Sequence, residues 1–143
     1  MLDIENEFGT FTGFVKNLFC GQTPELPQQA GLSDWESLLS ALSRHGLQPL
    51  FQYLCEVRDV ILPEGVAAVL RNSRKQQVIF DLLENAKLEE LREACQGADI
   101  PLLLLKGTPL AHQIYPAAGL RPRCDTDLMI RREDWTRFHK VAL

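Results

Sequence analysis

A surplus of positive charge is missing: the 143 residues carry 15 Lys and Arg against 19 Asp and Glu, a formal net charge of −4. Proteins that coat nucleic acid without regard to sequence need many cations to neutralise phosphates, so non-specific nucleic-acid binding is not expected, although a local basic patch remains open. A long hydrophobic run is missing too. No apolar stretch approaches the ~20 residues that span a bilayer, and the opening Met1–Glu7 is acidic where a secretory leader is basic. The expectation is a cytoplasmic protein without membrane association. The four cysteines, Cys20, Cys55, Cys95 and Cys124, contain no CxxC pair. Neither a zinc site nor a disulfide framework is suggested, and reduced, mostly buried thiols are expected. Internal repeats and low-complexity tracts are absent as well.

What is present is an ordinary globular composition, 45% hydrophobic and 24% charged, in a length that suits one domain or a helical lobe with a small second lobe. Up to about residue 99 the pattern is helical. Ser33-Asp34-Trp35-Glu36 has the Ser-x-x-Glu form of a capping box, and Leu38, Leu39, Ala41 and Leu42 follow at helix spacing until Gly46. Leu47, Leu50, Phe51 and Leu54 mark a second helix before the Leu62-Pro63 stop. A third runs from about Glu64 to Gln96. Its apolar residues, Val66, Val69, Leu70, Val78, Ile79, Leu82, Leu83, Ala86, Leu91 and Ala94, form a stripe expected to pack against the other helices. Glu89, Glu90, Arg92 and Glu93 read as a solvated face.

After residue 100 the period changes. Leu102-Leu103-Leu104-Leu105 is short, unbroken and apolar between Pro101 and Gly107, which suits a strand buried on both faces. Thr108-Pro109 reads as an N-cap followed by proline at the first helical position, opening a short helix through Tyr115. Pro116 to Cys124 is a loop. Asp125 to Ile130 is a second strand, and Glu133-Asp134 opens a last helix that runs to Leu143.

That placement gives the acidic pair its meaning. On a strand, residues i and i+2 share a face, so Asp125 and Asp127 project side by side, their alpha carbons ~7 Å apart. Two carboxylates so placed repel each other unless a cation joins them. Hard oxygen donors suit Mg²⁺ or Mn²⁺, and Mg²⁺ takes only one or two protein carboxylates, leaving other positions to water and phosphate oxygens. Lys106-Gly107-Thr108 supplies the complement, because a strand that turns through glycine into a helix presents backbone N–H groups and positive charge to phosphate. Arg121 and Arg123, in the loop leading to the carboxylates, are candidates either for triphosphate or for pairing with Asp125 and Asp127. Metal carboxylates beside an anion-binding turn are what phosphoryl or nucleotidyl transfer requires.

The same run, LKGTPLAHQIYPAAGLRPRCDTDLMI, resembles the nucleotidyltransferase superfamily that includes DNA polymerase beta. Over about residues 100 to 135 it is similar to an uncharacterised bacterial nucleotidyltransferase family that reads Leu-Lys-Gly, then Tyr-Pro, then Arg-Pro-x-x-Asp-x-Asp-Leu; SRHGLQPLFQYL around His45 also resembles that family's helical region. The resemblance implies that Gly107 and Thr108 stand for the glycine and serine of the superfamily turn, and Asp125 and Asp127 for its two metal ligands. It implies an α+β protein: a helical N-terminal lobe, residues 1–99, then part of a nucleotidyltransferase-like mixed sheet with flanking helices, residues 100–143. The loop from Pro116 to Cys124 makes the turn-to-carboxylate spacing longer than the superfamily's. The superfamily's third carboxylate, on a later strand, has no counterpart here, since Glu133 and Asp134 follow too closely. Two strands are too few for a stable sheet, so an incomplete core or a homo-oligomer that completes the sheet is expected.

The activity implied is transfer of a nucleoside monophosphate from a nucleoside triphosphate to an unknown acceptor hydroxyl. Two other readings stay open. An Asp-x-Asp also holds Mn²⁺ against a sugar nucleotide in glycosyltransferases, and the same fold without turnover would be a nucleotide-binding or protein-interaction module. Each residue also has a plainer role: Asp125 as a turn cap, Lys106 as a solvated strand end.

Overall fold

Phe11, Phe14, Val15 and Leu18 recur at helical spacing, and in the computed structural model, which describes residues 8–142, they are buried. A 3-10 turn, Gly9–Phe11, leads into α1, Thr12–Phe19. The acidic opening, residues 1–7, and Leu143 lie outside the described residues.

Next comes α2, Leu32–Arg44. It starts before the expected Ser33 cap: Gly31 takes the N-cap position, and its N–H donates to the Asp34 carboxylate at 2.8 Å. The capping acid is therefore Asp34 and not Glu36. Gly46, at φ 64, ends the helix, with the Leu47 N–H donating back to the Leu42 carbonyl at 2.8 Å. The third helix, α3, is Gln48–Val57, with Pro49 in its first turn. Pro63 precedes α4, Glu64–Gly97, a 34-residue helix.

Two compact units result, Met1–Lys75 and Gln76–Leu143. In the first unit Phe11, Phe14, Trp35, Leu38, Leu42, Phe51, Val66 and Leu70 form one cluster. The Phe11 and Trp35 ring centroids lie 4.4 Å apart, and Phe14 meets Phe51 edge-on at 5.9 Å. Burying each large side chain contributes roughly 1.5–3 kcal/mol, which offsets the ordering of these helices.

The second unit corrects the expected stripe. Val78, Ile79, Leu82 and Leu83 are 43% to 64% exposed, whereas the side of α4 that turns inward carries Asp81, Asn85, Leu88 and Cys95. Those positions keep helical spacing but begin with a charge, so the stripe holds at Val66 and Leu70, which are buried, and at Leu91 and Ala94, which are partly buried, and fails between them from Val78 to Leu83.

After α4 come β1, Leu103–Leu105, then α5, Gly107–Gln113, a 3-10 turn, Ala118–Leu120, and β2, Asp127–Met129. A 3-10 turn, Arg132–Asp134, opens α6, Trp135–Ala142. The strands pair antiparallel, Leu103 with Met129, Leu104 with Leu128 and Leu105 with Asp127, and no third strand joins them among the described residues. Mostly helical with a small two-stranded antiparallel sheet, the fold is α+β. Leu104 and Leu128 share one face. Leu103, Leu105, Asp127 and Met129 share the other, where Leu103 and Met129 are exposed, so β1 is not covered on both sides as expected. Thr108 is inside α5 and buried, and the N-cap position is taken by Lys106.

Of the thiols, Cys55 and Cys95 are buried and Cys20 and Cys124 exposed, so half and not most are covered; all four are free. Among the described residues no helix is long and apolar enough to cross a membrane.

Candidate active site

The ladder sets the site. Because Leu105 pairs with Asp127, the residue after β1 arrives beside the first residue of β2. Lys106 closes that gap, its Nζ donating to Asp127 Oδ1 at 3.1 Å. The ammonium is mostly in water and the carboxylate is half-buried, an ion pair that contributes ~0–1 kcal/mol.

Lys106 takes an unusual backbone to do this. Its φ is 52 with ψ −112, a region that side chains other than glycine enter at a cost of roughly 1–3 kcal/mol. The motif glycine, Gly107, is not the strained residue. A Cβ there meets nothing nearer than Arg123 Cγ at 3.7 Å, an ordinary contact. Thr108 follows, buried, with its hydroxyl 3.4 Å from that of Thr126. The turn after β1 and the segment entering β2 therefore touch at two places, Lys106 with Asp127 and Thr108 with Thr126.

Asp125 lies before the strand and is exposed. The expected strand from Asp125 to Ile130 is thus shortened to three residues, and only Asp127 of the acidic pair belongs to the ladder.

The two arginines of the loop part company. Arg121 stacks over Tyr115, its guanidinium carbon 5.7 Å from the ring centroid and Nη1 3.4 Å from the phenolic oxygen. Its Nε is buried without a partner. Arg123 turns inward to Asp81 on α4, where only 7% and 11% of the two side chains are exposed. Asn85 Nδ2 donates to the other oxygen of Asp81 at 3.1 Å. Asp81 is the residue that sequence reasoning passed over, and Tyr115, where the expected helix ends, takes a cation contact that reasoning did not assign. Their signals were a lone carboxylate inside the apolar run Ile79-Phe80-Asp81-Leu82-Leu83, and an aromatic six residues before an arginine.

Of the later acids, Asp134 is buried and ion-paired with Arg137, so it has no free carboxylate to offer the site. Among the described residues no group of three or more His, Cys, Asp or Glu side chains gathers at metal-binding spacing.

A family model described as "Uncharacterised nucleotidyltransferase" matches residues 32–143. The chain belongs to that nucleotidyltransferase family. The matched span begins with α2, so the family includes most of the helical region as well as the strands, the turn and the acidic pair. No curated protein and no solved structure matches the chain.

Proposed function

We propose that this nucleotidyltransferase-family chain carries the triphosphate-binding half of a metal-dependent site, moving a nucleoside monophosphate from a nucleoside triphosphate to an acceptor hydroxyl. The observation that carries the reading is the Leu105–Asp127 register, which brings the Lys106 ammonium within 3.1 Å of an Asp127 carboxylate oxygen. Cation and carboxylate meet there on the open side of the sheet, beside exposed Leu103 and Met129.

The donor set fits a hard divalent cation. Asp125 and Asp127 offer carboxylate oxygens, the number of protein ligands that Mg²⁺ or Mn²⁺ takes when phosphate and water fill the remainder. When bound, the cation neutralises charge on the triphosphate. Lys106, an exposed cation on Asp127, would be free to meet phosphate if a metal ion took that carboxylate. The Gly107 and Thr108 amides, with Arg121, complete the anion-facing side. In the transfer, the acceptor hydroxyl gives up its proton to water and its oxygen bonds to the α-phosphorus as the bond from that phosphorus to the bridging oxygen breaks, and pyrophosphate leaves.

Calorimetry tests the reading. Triphosphate binding is expected only with Mg²⁺ or Mn²⁺, and Asp125→Asn with Asp127→Asn is expected to abolish it. Equal binding by that double variant would exclude the site. Formation of labelled product from α-labelled triphosphate then separates an enzyme from a binding module.

A further inference from the structure

Arg123 joins three segments through one side chain. Its guanidinium pairs with Asp81 on α4. Its aliphatic carbons Cγ and Cδ lie 3.7 and 3.8 Å from where a Cβ on Gly107 would stand, so its stem crosses the turn after β1. Its backbone lies two residues before Asp125.

That position matters because Asp125 and Thr126 precede the ladder. No strand hydrogen bonding fixes them. Their placement depends on what holds the segment: the ladder at Asp127, the anchor at Arg123, and between them the Thr108 hydroxyl, 3.4 Å from that of Thr126. Stability alone does not account for the anchor. Taking two charges out of water costs about as much as their attraction returns, and a well-packed apolar pair serves stability equally well. What an arginine–carboxylate pair adds is direction, because the planar guanidinium fits a carboxylate in a defined orientation. Asn85, held to the second oxygen of Asp81 at 3.1 Å, fixes that carboxylate in turn.

We infer that Asp81 is a positioning residue for the Asp125 and Asp127 pair, acting through Arg123 across Gly107. The inference rests on the metal-binding reading of that pair.

Mn²⁺ alone is the probe, its affinity read by electron paramagnetic resonance. Asp81→Leu with Arg123→Met replaces the ion pair by apolar groups of similar reach. This double variant is expected to keep its circular dichroism and melting temperature while its Mn²⁺ affinity falls about tenfold. Asp125→Asn is expected to weaken Mn²⁺ binding strongly in the unsubstituted chain but by less than threefold in the double variant, because a carboxylate already displaced has little left to lose. Unchanged affinity, with Asp125→Asn acting equally in both backgrounds, would overturn the positioning role and leave the metal site standing. Failure of the unsubstituted chain to bind Mn²⁺ would overturn the metal reading and this inference with it. Should the double variant unfold, Arg123→Lys decides the matter, since it keeps the buried charge without the planar fork: weakened Mn²⁺ affinity supports the inference and unchanged affinity opposes it.

Discussion

Lys106 reaches Asp127 from a backbone conformation that favours glycine: φ is 52 at the lysine, and its Nζ stands 3.1 Å from the Asp127 carboxylate. The contact is exposed on the lysine side and contributes little to stability. The strain is therefore not offset by the ion pair, and residues held in such conformations cluster at functional sites.

The first prediction follows from that imbalance. Lys106→Gly relieves the backbone and loses only a weak ion pair, so the chain is expected to gain about 1 kcal/mol of stability. The same change removes the cation proposed to meet phosphate, and metal-dependent triphosphate affinity is expected to fall about tenfold or more, ~1.4 kcal/mol. Urea unfolding and calorimetry on one preparation read both effects. Loss of stability would show that the conformation is unstrained, and unchanged affinity would remove Lys106 from the site.

The two faces of α4 and the core beside its start make a second pair of expectations. Phe51, fully buried among Phe14 and its neighbours, is expected to cost roughly 3–5 kcal/mol when cut to alanine. Leu82→Gln, on the exposed side, is expected to change stability by less than ~0.5 kcal/mol. Denaturant midpoints compare them. A large cost at Leu82 would mean that this face of the helix is covered.

Which of these features were legible in the sequence depends on the strength of the local signal. The bounds of α4 were readable because Pro63 precedes it and its length leaves no other period. The inward side of its second half was not, because Asp81 lies there; a carboxylate is covered only when something distant pairs with it, and Arg123 is 42 residues away. The start of α2 moved because Asp34 reaches the Gly31 N–H, a competitor that the Ser33–Glu36 pattern concealed. The carboxylate pair itself was visible as Asp-x-Asp. Its asymmetry was not: Asp127 in the ladder and Asp125 before it is a matter of register, which two short strands do not announce.

The thiols give a prediction with a sign in pH. Burial, with the charge of Glu56 second, pushes Cys55 up to about 12 from the ordinary 9.0, and burial also raises Cys95. Between about 9 and 12 the unfolded chain has lost the Cys55 proton that the folded chain keeps, so this contribution to stability is full below about pH 9 and is lost as pH rises toward 12. The expected loss from pH 9 to 10.5 is on the order of 1–2 kcal/mol more for the unsubstituted chain than for Cys55→Ala. Urea midpoints at the two values read it. At pH 8 a thiol reagent is expected to modify Cys20 and Cys124 quickly, with Cys55 and Cys95 following only on unfolding; four fast thiols would contradict the burial.

Gly107 separates the demands of the fold from those of a ligand. Its φ lies outside the left-handed region, and an added Cβ meets Arg123 Cγ at 3.7 Å, so nothing within the chain forbids a side chain there. Gly119 is tighter, with Val78 Cγ2 at 3.4 Å from the position of its Cβ. Gly107→Ala is accordingly expected to keep or slightly raise stability, by up to ~1 kcal/mol, since alanine is the better helix former at the start of α5. If phosphate approaches the backbone of this turn, the same methyl group stands in its way, and metal-dependent triphosphate affinity is expected to fall about tenfold, ~1.4 kcal/mol. Calorimetry alongside thermal unfolding distinguishes the cases. Weakened binding with intact stability marks a glycine required by the ligand, whereas full affinity would mean that phosphate does not contact this backbone and that the anion-binding side of the site lies elsewhere.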